Sequence, residues 1–262
     1  MPLFCYAILF IACSHRLAPG DSASADRLTP QTSVLNKEVK DERGNAQLLG
    51  KCTRARLEQP PYNSWFDRNY NIYTIDSVTA DRLRTSLTGK KFRIFMGTWC
   101  GDSQREVPRI YKLLDFCGID PAAVQLIMVS ASESMYKQSP GHEEKGMDIF
   151  RVPDLIVYNQ GRELGRIVES PVSSLEKDLL TISSGQEYTP HYPGAGYLIQ
   201  VFKEEKLEQI EQQLPELAAR IKPLVGSPSE LAGYARVMRI GGQPERASIA
   251  LRINALIFPG QK

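Results

Sequence analysis

Histidine is scarce in this 262-residue chain, and so is any long apolar run or block of like charge. The three histidines, His15, His142 and His191, have no metal-ligand spacing among themselves or with the five cysteines. No metal site and no cofactor are therefore expected. Thirty-two Lys and Arg against thirty Asp and Glu leave a formal net charge of +2 with no run of one sign. That balance argues against a nucleic-acid partner. The apolar stretch over residues 3–12 is too short to cross a bilayer, which takes ~20 residues, and no Lys or Arg precedes it.

What that stretch does have is the length of a signal-peptide core. Phe10-Ile11-Ala12-Cys13 resembles a bacterial lipobox, in which a small residue precedes a cysteine that is lipidated and becomes residue one. The expectation is a lipoprotein signal over residues 1–12 and a chain held to the membrane through Cys13, facing the periplasm in a bacterial cell envelope. Two acyl signals on one cysteine anchor stably where one would not. A cut after Ala23-Ser24-Ala25, giving a soluble exported chain, and no processing at all are the alternatives. Of the remaining cysteines, Cys52, Cys100 and Cys117, an odd count in an oxidising compartment leaves at least one free thiol. Cys100 is expected to be that one.

Residues 13–60 are polar with little apolar periodicity and read as a tether, structured only near its end at Pro60-Pro61. Residues 61–185 alternate strand and helix signals. Tyr62, Trp65, Phe66, Tyr70 and Tyr73 read as a first strand and arm. A helix over 79–87 with Thr79 as its N-cap follows. Strands are expected over 92–96, 124–129, 152–158 and 163–169, the last two joined by the turn signal Asn159-Gln160-Gly161-Arg162. Helices are expected over 104–116, ending at Gly118, and over 175–182, opened by the capping-box-like Ser173-Ser174-Leu175-Glu176. Residues 132–146 read as a polar loop. The pattern defines an α/β domain with a mixed sheet. Residues 186–196 read as a linker. A small all-α extension over 197–262 follows, with helices at 197–214, 216–224, 229–240 and 244–257.

Trp99-Cys100-Gly101-Asp102-Ser103 lies between strand 92–96 and helix 104–116. There the free backbone N–H groups and the positive end of the helix dipole favour thiolate over thiol. The segment resembles the Trp-Cys-Gly-Pro-Cys motif of the thioredoxin family. Pro108 falls eight residues after Cys100, where that family kinks its active-site helix. Val152-Pro153 precedes a hairpin, as the family's cis-proline does. The resemblance covers about residues 65–185, half the chain. It implies a thioredoxin-like mixed sheet flanked by helices, with Pro153 facing Cys100. It further implies Cys100, Ser103 and Trp99 as catalytic positions, and Pro153, Val152, Gly101 and Asp102 as the substrate-binding ones.

Four positions depart from the family pattern. Ser103 replaces the resolving thiol, so a mixed disulfide at Cys100 cannot be displaced from within the motif. Ile94 stands where disulfide-reducing members bury an aspartate. Asp102 replaces the motif proline, and its carboxylate opposes thiolate formation. Asp154 follows Pro153 where threonine is frequent. Asp102 and Glu106 are read either as first-turn partners of the helix dipole or as catalytic groups. Cys117 lies 17 residues along the same segment, roughly 25 Å away, whereas a disulfide needs Cα atoms within about 7 Å. It is read as a small buried residue, and the role of Cys52 stays open.

Residues 228–261 resemble a single tetratricopeptide repeat, with Leu231, Ala235, Ala247, Leu251 and Pro259 at its spaced positions and Met238 in place of an aromatic. One repeat cannot bury its own face, so it must pack on the preceding helices, on the α/β domain or on a partner. Two functions follow. One is monothiol exchange through Cys100 with protein thiols or disulfides, Pro153 positioning the partner strand. The other is a non-catalytic binding module whose groove and helical tail recruit a protein partner. The peroxidatic Pro-x-x-x-Thr-x-x-Cys pattern is absent at Cys100. For the anchor, mass spectrometry of the membrane fraction is expected to show a mature chain beginning at lipid-modified Cys13, whereas a soluble chain beginning at Asp26 refutes it.

Overall fold

Apolar runs without alternation need cover on both faces. Two such runs, β3 (Lys91–Met96) and β4 (Val124–Met128), lie side by side and parallel inside a six-stranded mixed sheet. The computed structural model describes residues 34–260. Cys5, Cys13 and the apolar stretch over 3–12 lie outside the described residues. The remaining strands are β1 (Lys37–Lys40), β2 (Ala46–Cys52), β5 (Asp154–Asn159) and β6 (Arg162–Val168). The sheet order is β1-β2-β4-β3-β5-β6, and every pairing except β3 with β4 is antiparallel. The β5–β6 turn places Gln160 and Gly161 at φ 50° and 81°. That is the left-handed pair a two-residue hairpin turn requires.

The sheet begins inside the stretch expected to be a tether. β1 reads Lys-Glu-Val-Lys, the charged composition of an edge strand, and β2 carries only two large apolar residues, Leu48 and Leu49. Neither presents an apolar stripe long enough to stand out. Their turn is closed by the Asp41 carboxylate, which accepts from the backbone N–H of Arg43 and Asn45 at 2.9 and 2.7 Å.

One face of the sheet packs against α1 (Arg54–Leu57), α2 (Asn63–Ile72), α3 (Ser77–Ser86), α4 (Gly101–Phe116) and α5 (Leu175–Ser183). The aromatic cluster expected as a strand is helical. Tyr62, Trp65, Phe66 and Asn69 are buried, and their spacing is that of a helix face rather than a pleat. The N-cap of α3 is Asp76, not Thr79. The Asp76 carboxylate accepts from the Thr79 N–H at 3.3 Å and from its hydroxyl at 2.5 Å. Ser174 caps α5 by accepting from Lys177 N–H, while Glu176 turns inward to the Tyr73 hydroxyl at 2.8 Å.

The other face carries Phe95, Ile127, Val129, Ile149, Val152 and Ile156. The connection from β4 to β5 lies against it. This stretch was expected as a polar loop, yet Lys137, Gln138, Ser139 and Glu144 are buried in it. Their polar groups are met locally: Glu144 accepts from the Ser139 N–H at 3.0 Å.

The C-terminal part forms α6 (Pro193–Glu204), α7 (Leu207–Gln212), α8 (Leu214–Ile221), α9 (Pro228–Ile240) and α10 (Pro244–Ile257). Two expectations fail here. The linker over 186–196 already contains the first turn of α6, with Pro193 at the helix start. A Cβ on Gly194 would sit 2.3 Å from Val225, so this glycine serves close packing, not slack. The Ala195 N–H beside it donates to the buried Glu230 carboxylate at 2.8 Å. The single helix expected over 197–214 is broken instead. Glu205 is extended, and the chain turns helical again only at Leu207 in α7. The gap expected between 214 and 216 falls at the start of α8, where Pro215 lacks the N–H to continue a helix from before it.

α9 and α10 pack on each other and on α6 and α8, around Leu231, Ala235, Ala247 and Ile253. Leu251, placed among the apolar positions of a repeat, is 49 % exposed. Ile249, Ile253 and Ile257 are buried on that helix in its place. The same core admits Phe150, whose ring meets Tyr234 edge-on at 5.6 Å and Tyr192 at 5.8 Å.

Candidate functional site

Cys100 is the N-cap of α4, in extended backbone just after β3. Its N–H donates to Gly97 O, and its carbonyl accepts from Gln104 N–H, both at 3.0 Å. Gly97 is required: a Cβ there would fall 2.5 Å from the Trp99 ring. The Cys100 side chain does not cap the helix. Its thiol, half-buried, donates to Val152 O at 3.3 Å. The Val152–Pro153 peptide bond is cis. Residues 52 positions apart are thus joined at the mouth of α4.

The other motif residues divide. Trp99 is fixed by its indole N–H on Val129 O at 3.0 Å and packs at a tilt against the Tyr136 ring, 5.6 Å between centroids. Gly101 leaves open space where a side chain would stand. Asp102 pairs with Arg105 at 2.7 Å across one helical turn. Glu106 is held by Arg105 and Arg109. Asp102 lies in the first turn of α4 and Glu106 beyond it, and both carboxylates are matched by cations on their own helix. Ser103 is 0 % exposed. Its hydroxyl accepts from Gly97 N–H at 3.3 Å, so it braces the turn that carries Trp99.

Three charged residues missed in the sequence surround this mouth. Lys137 is only 7 % exposed. Its ammonium donates to Phe150 O at 2.8 Å and stands 5.1 Å from the Tyr136 ring. Burial and then Arg151 push it down to about 8, against the pull of Cys100 and Glu169. Arg236, from α9, covers the same ring at 4.1 Å. Arg151 lies over Tyr192 and pairs with Glu169 at 3.7 Å. No motif spacing marks these residues, because only the β4–β5 connection and α9 bring them together.

Asp154 is wholly buried beside Pro153. Burial pushes its carboxyl up to about 6, opposed by Arg166 at 3.2 Å. Its second oxygen, Oδ1, has no partner among the described residues. Cys52 and Cys117 are free and buried. Burial drives the Cys52 thiol up to about 11 and raises that of Cys117 as well. Both are therefore poor nucleophiles at neutral pH, and Cys100 is the accessible thiol of the three. Among the described residues, no cluster of three or more His, Cys, Asp or Glu could hold a metal, and no helix is long and apolar enough to cross a membrane. Comparison with protein-family models, curated proteins and solved structures returned no match.

The buried carboxyl has a measurable signature. A folded-state value above the unfolded one gives stability that is full below the unfolded value of 3.8 and is lost as pH rises through about 6. Between pH 4 and pH 7 the protein is expected to lose roughly 2–3 kcal/mol relative to Asp154→Asn, followed by urea unfolding. A pH-independent difference refutes the burial of an ionisable Asp154.

Proposed function

We propose that this chain is a thioredoxin-like protein that exchanges with the disulfides of a partner protein through the single thiol of Cys100. One observation carries the reading: a half-buried cysteine stands at the N-terminus of α4, a 16-residue helix, with its sulfur 3.3 Å from the carbonyl of Val152, the residue before Pro153. Gly101 leaves open space at the start of α4, next in sequence to Cys100.

In the exchange, the Cys100 thiolate attacks one sulfur of the partner disulfide. A Cys100–partner S–S bond forms, the partner's own S–S bond breaks, and the second partner sulfur leaves as thiolate. An external thiol then attacks the mixed disulfide, and Cys100 departs as thiolate. No net electrons pass to the chain. Val152 and Pro153 present the edge against which the partner strand lies, Asp102 flanks it, and Trp99 walls the sulfur. Ser103, engaged with Gly97 N–H, has no part in release. The helical C-terminal part serves as an extension that holds the Phe150–Pro153 segment.

A second reading, a binding module without turnover, is favoured by Ser103 and by Ile94, both fully buried. Incubation with a peptide disulfide separates the two. The exchange reading expects an adduct at Cys100 alone, stable until glutathione or another small thiol is added, and insulin reduction far slower than a two-cysteine enzyme gives. Ser103→Cys is expected to raise that reduction modestly. An unreactive Cys100, or an adduct mapped to Cys52 or Cys117, contradicts the exchange reading.

A further inference from the structure

A cleft of about 680 Å³ is lined by Trp99, the neighbour of Cys100 in sequence, and not by Val152 or Pro153. Thr98 and Trp99 reach it just after β3, Ser132 just after β4, and Gln47 from the start of β2. It therefore lies at the carboxyl ends of the two parallel strands, where α/β sheets hold their ligands, and its volume is that of a ligand site. Resting on the exchange reading, we infer that this cleft receives the main chain of the protein whose disulfide Cys100 attacks.

The polar groups of the cleft define what it can bind. Gln47 is 5 % exposed. Its side-chain oxygen accepts from Ala131 N–H at 3.2 Å, which fixes the amide orientation and leaves the Nε2 group without a partner among the described residues. Gln104 is fixed the opposite way. Its Nε2 donates to Thr98 O at 2.8 Å, and its oxygen is left without a partner among the described residues. The cleft thus offers one oriented N–H donor and one oriented carbonyl acceptor. A peptide group presents the matching pair, C=O and N–H.

The walls suit the side chains of such a segment. Trp65, Tyr62 and Trp99 line the cleft. The Tyr62 hydroxyl is engaged by Glu38 at 3.0 Å and the Trp99 N–H by Val129 O, so both rings turn apolar surface inward. Charge argues against an anionic ligand. The cation on the lining is Arg43, at the rim beside Asp41 and Glu42, and Asp41 is already bonded to its own turn. Trp99 both walls the cleft and adjoins Cys100 in sequence. A partner strand advancing about 3.3 Å per residue passes from the sulfur into the cleft within a few residues.

The test compares two probes with the same leaving group on the full chain. One is the thionitrobenzoate mixed disulfide of N-acetylcysteine amide. The other is that of an uncharged octapeptide with a central cysteine. The peptide is expected to react about five- to tenfold faster, the scale of one hydrogen bond. Gln47→Glu keeps the oxygen on Ala131 N–H and replaces the free donor with an acceptor. It is expected to bring the two rates together by slowing the peptide alone. Asn45→Trp, at the exposed rim, is expected to do the same by filling the mouth. Equal rates in the unaltered protein, or an unchanged ratio in both variants, overturn the inference. So does chitohexaose that quenches tryptophan fluorescence while leaving the peptide rate untouched, which would make the cleft a carbohydrate site. If neither probe labels Cys100, the exchange reading itself fails, a distinct result.

Discussion

Two carbonyl oxygens, those of Phe150 and Val152, hold this structure together. Val152 O takes the Cys100 thiol and Phe150 O takes the buried Lys137 ammonium. The Phe150 ring is meanwhile clasped by Tyr192 and Tyr234 from the C-terminal region. Aromatic pairs of this kind add about 0.5–1.5 kcal/mol each beyond their buried area. A segment of four residues is thus tied to the helix that carries the thiol, to the β4–β5 connection and to the C-terminal helices. Displacing it would leave a buried ammonium without its acceptor, a costly state.

The same constraint explains why so much charge lies near the site. Covering the second face of the sheet with a polar connection forces Lys137 and Glu144 inward. Each must then find a partner inside, as buried polar groups do. Asp148 shows how the helices supply some of these partners, accepting from the Tyr234 hydroxyl of α9 and from Arg246 of α10, both at 3.3 Å. The helices therefore complete the surroundings of the Cys100 mouth rather than trailing from the sheet. Arg236 above Tyr136, whose ring in turn packs against Trp99, extends that contact to the motif itself.

Much of this was legible where the signal is local. The apolar runs of β3 and β4, the Gln160-Gly161 turn and a cysteine at the start of α4 depend on a few consecutive residues, so the mixed sheet and the thiol could be read directly. β1 and β2 could not, because an edge strand of alternating charge and a neighbour with two leucines look like solvated chain. Lys137 gave no signal at all: a lysine in a polar stretch is ordinarily exposed, and only the fold buries it. The break at Pro215 was readable from the proline, but the one at Glu205 was not, since no proline or glycine marks it and the apolar spacing continues across it. Gln47 and Gln104 are 57 residues apart and come to line one cleft only through the order of the strands.

Through Phe150 the sheet and the C-terminal helices form one cooperative body. Urea unfolding followed by two signals tests this coupling. Tryptophan fluorescence reports Trp65 and Trp99 alone, both in the sheet-bearing part. Far-UV circular dichroism also weighs the five helices from Pro193 to Ile257. Coincident midpoints are expected, as a single cooperative unit gives. Two separated transitions, with fluorescence and dichroism falling at different urea concentrations, would contradict it.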